Sequence, residues 1–164
     1  MNSISFQEIR EEHLSEVQEI YNYYVANTTV TFTTELVTID EIREMVMSGN
    51  SRYKSFLIMS FNTVAGYVLI AQYNKRQAYD KTAEVTIYLK PDYMGKGIGQ
   101  RALEFIEEIA KNQGFHSLIA TICAENVRSE RLFSRNGYNK NAHFKEIGYK
   151  FDRFLDIVCY QKII

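Results

Sequence analysis

Ile4 and Phe6 alternate with polar neighbours, so the chain opens on a short strand. Leu14, Val17, Ile20, Tyr21 and Tyr24 then return at helical spacing and predict an amphipathic helix. A second helix is announced by Thr38 and Glu41, a T-x-x-E capping box ahead of Ile42, Met45 and Val46. It stops at Ser48-Gly49-Asn50. Residues 56–61 and 64–73 are rich in β-branched, aromatic and apolar side chains, and Asn62-Thr63 between them suggests a hairpin. A polar stretch, 74–81, precedes another strand at 83–89, which stops at Lys90-Pro91. The turn Gly95-Lys96-Gly97-Ile98-Gly99 runs into a helix with Ile98, Ala102, Ile106, Ile109 and Ala110 on one face, closed by Gly114. Residues 118–123 form a continuous apolar strand, 129–135 a short helix stopped by Asn136-Gly137, and 138–149 and 154–161 two terminal strands.

The predicted order is β-α-α-β-β-β-α-β-α-β-β. A glycine turn between a strand and a helix, followed by an apolar strand, implies a right-handed βαβ unit. The remainder reads as antiparallel. The expected fold is α/β with α+β character: a mixed, mostly antiparallel sheet with helices on both faces, in a single domain over 1–164.

Composition narrows the function classes. With 164 residues, about 70% of the unfolded surface can be buried, enough for a real core. Nineteen basic residues against 20 acidic ones give a net charge of −1, so there is no strong field for nucleic acid or an anionic membrane. No apolar run approaches the roughly 20 residues of a membrane helix. Cys123 and Cys159 lie far apart without a C-x-x-C, which excludes a cysteine zinc site and fits a reducing cytoplasm. His13, His116 and His143 are scattered, so no metal site is expected.

The glycine turn carries the strongest local chemistry. Backbone N–H groups at Gly95, Gly97 and Gly99 can close on a ligand, and the helix start adds unpaired donors and a positive dipole end. Together they suit phosphate or pyrophosphate; a tight connection with no ligand is the plainer alternative. A dinucleotide fingerprint counted from Gly95 meets Gln100 where its third glycine belongs. Counted from Gly97 it meets Gly99 and Ala102, but without an acidic ribose partner. A P-loop fails because Gly95-Lys96 is followed by Gly97. The anion is therefore expected to be neither NAD nor ATP.

The segment Y-L-K-P-D-Y-M-G-K-G-I-G, residues 88–99, resembles the acetyl-CoA pyrophosphate motif of the GNAT N-acetyltransferases, whose usual form is Q/R-x-x-G-x-G/A. Tyr93 or Met94 stands where that family has Gln or Arg, so the loop's backbone donors remain without that side chain. The segment A-E-N-V-R-S-E-R-L-F-S-R-N-G-Y, residues 124–138, is similar to the second cofactor segment of the family. Three further stretches resemble the phosphinothricin and methionine sulfoximine acetyltransferase branch: I-Y-N-Y-Y-V-A-N-T-T-V-T-F, A-Y-D-K-T-A-E-V-T-I-Y and I-G-Y-K-F-D-R-F-L-D.

The resemblance implies a sheet whose strands at 83–89 and 118–123 splay apart to admit acetyl-CoA. Ile87, Tyr88 and Leu89 would hold the pantetheine through their backbone, with the Leu89 N–H polarising the thioester carbonyl. Gly95, Lys96, Gly97, Ile98, Gly99 and Gln100 would hold the pyrophosphate. Asn126 and Ser129 would touch the cofactor, although Asn126 also reads as a helix cap. Glu84 would be the base that takes the amine proton, its pKa raised by burial; the bare alternative is a solvent-facing strand glutamate. Attack would be direct, in a ternary complex, and Cys123 and Cys159 read as buried strand residues. The family's thiolate acid is a tyrosine where this chain has Phe133. Some phosphinothricin enzymes carry a histidine where it has Phe151.

For the acceptor, Lys75 and Arg76 would hold a carboxylate, and Val85, Thr86, Phe32, Tyr73 and Tyr79 would wall the site. Arg153 and Asp156 read as a structural pair or as part of the far wall. The implied acceptor is the α-amine of a small amino-acid analogue such as phosphinothricin, methionine sulfoximine or methionine sulfone. A peptide N-terminal acetyltransferase and a non-catalytic acyl-CoA sensor are the alternatives. Twelve tyrosines and 10 phenylalanines exceed the needs of one core, which suggests an apolar face for a homodimer.

Overall fold

The computed structural model describes residues 3–164. Seven strands and four helices follow the predicted order: β1 (Ile4–Glu8), α1 (Leu14–Asn27), α2 (Ile39–Val46), β2 (Ser55–Ser60), β3 (Thr63–Gln72), β4 (Thr82–Leu89), α3 (Ile98–Asn112), β5 (Ser117–Cys123), α4 (Val127–Arg135), β6 (Asn139–Lys150) and β7 (Arg153–Ile163). The strands form one sheet in the order β1-β2-β3-β4-β5-β7-β6. Among the described residues only β4 and β5 pair in parallel, because α3 carries the chain back across the sheet between them.

Local chemistry explains the boundaries. Thr38 accepts the N–H of Glu41 and the Glu41 carboxylate accepts the N–H of Thr38, so the capping box forms as read. Thr28 closes α1 with both its N–H and its hydroxyl on the carbonyl of Tyr24, at 3.2 and 2.8 Å. The β2–β3 turn lies one residue earlier than Asn62-Thr63: Phe61 takes a positive φ of 53°, and Thr63 already pairs with Ser60.

Helices cover both faces. Ala102, Leu103 and Ile106 of α3 and Phe133 of α4 pack with Ile70, Leu118 and Val158 of the sheet. Val17 and Ile20 of α1 and Ile42 of α2 pack with Leu57, Tyr67 and Leu69 on the other side. Each such aliphatic side chain contributes about 1.5–3 kcal/mol by leaving water. The two layers clamp β3 and β4, which makes the middle of the sheet a rigid floor for whatever sits at its edge of divergence. No helix among the described residues is long and apolar enough to cross a membrane.

Candidate active site

β4 and β5 stay paired only at Thr82↔Ser117, Ala83↔Leu118 and Glu84↔Ile119. Past that point β4 remains on β3 as far as Leu89↔Gly66, and β5 remains on β7 as far as Cys123↔Ile157. The two strands therefore part, and a cavity of about 290 Å³ opens between them. This is the splay that the resemblance implied.

The wedge exposes backbone donors. Lys90 N–H bonds the carbonyl of Ala65 at 2.8 Å, so antiparallel alternation turns residues 88, 86 and 84 toward β3. Ile87 and Leu89 then present their N–H groups to the gap. The Leu89 carbonyl accepts a hydrogen bond from the hydroxyl of Tyr24 in α1. Burial pushes the Tyr24 phenol up to about 12, so it keeps the proton it donates.

At the wide end lies the start of α3. Gly95 and Gly97 hold φ of 72° and 77°, left-handed values that cost glycine nothing. Gly97 caps the helix without a side chain, leaving the first-turn N–H groups of Ile98, Gly99 and Gln100 without intrahelical acceptors. Lys96 is exposed, its ammonium 5.7 Å from the Tyr93 ring. Asn126 and Ser129 line the cavity, and they are also a cap. The Asn126 amide oxygen accepts the Ser129 N–H at 3.2 Å, and its NH₂ donates to the Ser129 hydroxyl at 2.9 Å. Phe133 faces the same space with an aromatic ring that carries no transferable proton.

Glu84 sits half-buried at the apex, the last paired residue before the strands part, and lines the cavity. Val85 and Thr86 follow it on the same wall. Tyr88 is buried there too; burial first, and then the neighbouring Tyr21 hydroxyl, push its phenol well above the ordinary value, with Glu84 adding to the rise. Ala120 to Cys123 of β5 line the far side of the gap, and Val30, Thr31 and Phe32, from the connection between α1 and α2, line the cavity as well.

Several expected residues lie elsewhere. Lys75, Arg76 and Tyr73 are exposed in the β3–β4 connection and are not part of this cavity's lining; Tyr73 packs edge-on against Tyr79, 5.7 Å away. Arg153 and Asp156 are not a pair. Arg153 binds the Glu125 carboxylate with its two terminal guanidinium nitrogens, and Asp156 takes His143 at 2.8 Å and the Glu146 N–H at 2.7 Å. Cys123 is buried in the cavity wall, but Cys159 is only half-buried, which corrects the reading of both as buried strand residues. Sequence reading missed Tyr24, Val30, Thr31 and Ile157. Tyr24 sits on the buried face of a helix, where a core tyrosine looks the same, and Val30 and Thr31 lie in a segment without period. Among the described residues, no group of three His, Cys, Asp or Glu side chains is placed to hold a metal.

The same fold recurs in known proteins. A model of the acetyltransferase (GNAT) domain matches residues 6–159. The chain is 30% identical over 156 residues to phosphinothricin N-acetyltransferase of Streptomyces coelicolor, covering 93% of this chain and 91% of that one. It is 27% identical over 151 residues to the L-methionine sulfoximine/L-methionine sulfone acetyltransferase of Salmonella typhimurium, covering 88% and 85%. The crystal structure of a phosphinothricin acetyltransferase from Sinorhizobium meliloti, in complex with acetyl-CoA, superposes with a TM-score of 0.92 at 26% identity, covering 98% of this chain and 88% of that one. Fold, divergent strand pair and family match agree, and the chain belongs to the GNAT acetyltransferase family as an acyltransferase enzyme.

Proposed function

We propose that residues 1–164 act as one domain that moves the acetyl group of acetyl-CoA to the α-amine of a small amino-acid-like acceptor, of the phosphinothricin, methionine sulfoximine or methionine sulfone type. The observation that carries this is Glu84 at the apex of the wedge, on the strand whose Ile87 and Leu89 N–H groups face the gap. A carboxylate beside preorganised donors is what acyl transfer from a thioester to an amine requires.

The α3 start, from Gly95 to Gln100, receives the pyrophosphate on its free donors. Ile87, Tyr88 and Leu89 hold the pantetheine as an added strand, and the Leu89 N–H polarises the thioester carbonyl. Glu84 takes a proton from the acceptor ammonium, directly or through water. The freed amine lone pair forms the C–N bond, the C–S bond breaks, and its electron pair leaves on sulfur. Phe133 has no proton to give, so the proton that the newly acylated nitrogen sheds passes through water to the thiolate. Phe32 is the acceptor's apolar wall, whereas Lys75, Arg76 and Tyr73 lie outside the cavity's lining and take no part in it.

Phe144, Ile147, Tyr149, Phe151 and Phe154 are all exposed on the hairpin of β6 and β7, Phe151 in its turn, and β6 is the end strand of the sheet. This patch supports a homodimer, a second copy covering it. Sedimentation showing only monomer at micromolar concentration would remove the dimer. The free cysteines and the charge balance fit a reducing cytoplasm without nucleic acid or membrane as partner.

The test is thiol release from acetyl-CoA across amino-acid analogues, polyamines and short peptides. Turnover is expected with the amino-acid analogues alone. Glu84→Gln should keep acetyl-CoA affinity and lose about 100-fold or more in turnover. Unchanged turnover would take Glu84 out of the chemistry.

A further inference from the structure

Phe32 reaches the cavity from residues 28–37, which have no helix or strand. The backbone on either side of it is nevertheless fixed. Tyr21 bonds the Thr31 hydroxyl at 2.9 Å and the Thr33 hydroxyl at 2.7 Å. Lys150, buried in β6, donates to the Thr31 carbonyl at 2.9 Å.

The ring itself leans on Gly148 of β6. A Cβ at that glycine would fall 2.2 Å from Cε2, 2.5 Å from Cδ2 and 3.0 Å from Cζ of Phe32. Gly148 is outside the positive-φ glycines, so its backbone has no need of glycine. What its missing side chain supplies is room. It is also the residue at which β6 resumes regular pairing with β7, opposite Leu155, after the irregular stretch from Phe144. The strand is thus brought flush against the ring at this one point.

We infer that Gly148 is a specificity-determining position, setting how far Phe32 projects into the cavity and hence the size of the acceptor accepted. The inference rests on the reading of Phe32 as an acceptor wall. With alanine at 148, Cε2 must retreat by about 1.2 Å to regain ordinary contact at 3.4 Å. Thr31 and Thr33 are held, so the ring turns toward the open side, which is the cavity. Discrimination by a crowded apolar wall is worth about tenfold or more per displaced methylene-sized volume.

The experiment is a double-mutant cycle with Gly148→Ala, Phe32→Ala and both together, read in two ways. The first is kcat/KM for glycine, alanine, methionine sulfone and phosphinothricin, with KM for acetyl-CoA alongside. Gly148→Ala should lose about tenfold or more on the two larger acceptors relative to the smaller ones, at unchanged KM for acetyl-CoA. The double variant should match Phe32→Ala alone. The second is thermal melting. Gly148→Ala should lower the melting temperature of the parent but not that of Phe32→Ala. An unchanged size profile, or penalties that add in melting, would overturn the inference. So would a double variant that fails to fold, since it lacks the clash. Absence of turnover by the parent on every acceptor would instead defeat the acceptor reading, while melting would still decide whether residues 32 and 148 are coupled.

Discussion

The hydroxyl of Tyr24 in α1 donates to the carbonyl of Leu89, 65 residues further along the chain. Leu89 is the last residue of β4, and by strand alternation its N–H and its carbonyl face the same gap. One group is therefore satisfied by the protein while the other remains free for a ligand. A helix on one face of the sheet thereby fixes the angle of a backbone donor at the site.

Tyr24→Phe removes that bond and keeps the ring contacts with Tyr23 and Tyr88. A net hydrogen bond is worth about 1 kcal/mol, so acetyl-CoA binding should weaken about fivefold, with a smaller effect on turnover at saturation. Isothermal titration with acetyl-CoA, beside kcat, separates the two. A variant with parental affinity would show that Leu89 is held by β3 alone.

Gly66 stands opposite Leu89 on β3, where a Cβ would lie 2.1 Å from the Tyr88 carbonyl oxygen and 2.9 Å from the Leu89 Cα. These are backbone atoms, with no rotamer to yield. Gly66→Ala should cost about 1–3 kcal/mol and lower the melting temperature by about 2–4 °C for each. Since the displaced strand is the one carrying the Ile87 and Leu89 donors, acetyl-CoA affinity should fall too. A variant melting with the parent would mean that β4 shifts freely there.

These two contacts mark where reading the sequence stopped. The elements were legible because period-2 and period-3.6 patterns survive in residues such as Val17, Ile42 and Leu103, all fully buried. Thr38 and Glu41 announced a helix start because a capping box is local chemistry. The glycine turn that opens α3 was legible from three glycines for the same reason. Glu84 was legible only by resemblance: on its own strand nothing separates it from a solvent-facing glutamate. Its meaning comes from pairing that stops at Ile119, a relation between distant segments. Phe32 against Gly148, and Arg153 bound to Glu125 rather than Asp156, are likewise tertiary facts without local pattern.

The hairpin of β6 and β7 carries a charge that should shape the pH response. The Glu146 N–H, and after it His143, hold the Asp156 carboxyl below its ordinary 3.8. Glu146 has a positive φ of 51° inside the irregular stretch of β6, so Asp156 pins a strained residue. A carboxyl whose pKa is lower folded than unfolded binds fewer protons when folded. Its stabilisation is therefore fully present above about pH 4 and is lost as pH falls through the folded value. Asp156→Asn should melt below the parent at neutral pH, and the difference should shrink as pH drops below 3.8. Melting curves from about pH 7 to about pH 2.5 measure this directly. A difference that stays constant over that range would mean that Asp156 supports the bulge by its shape and hydrogen bonding, with no contribution from its charge.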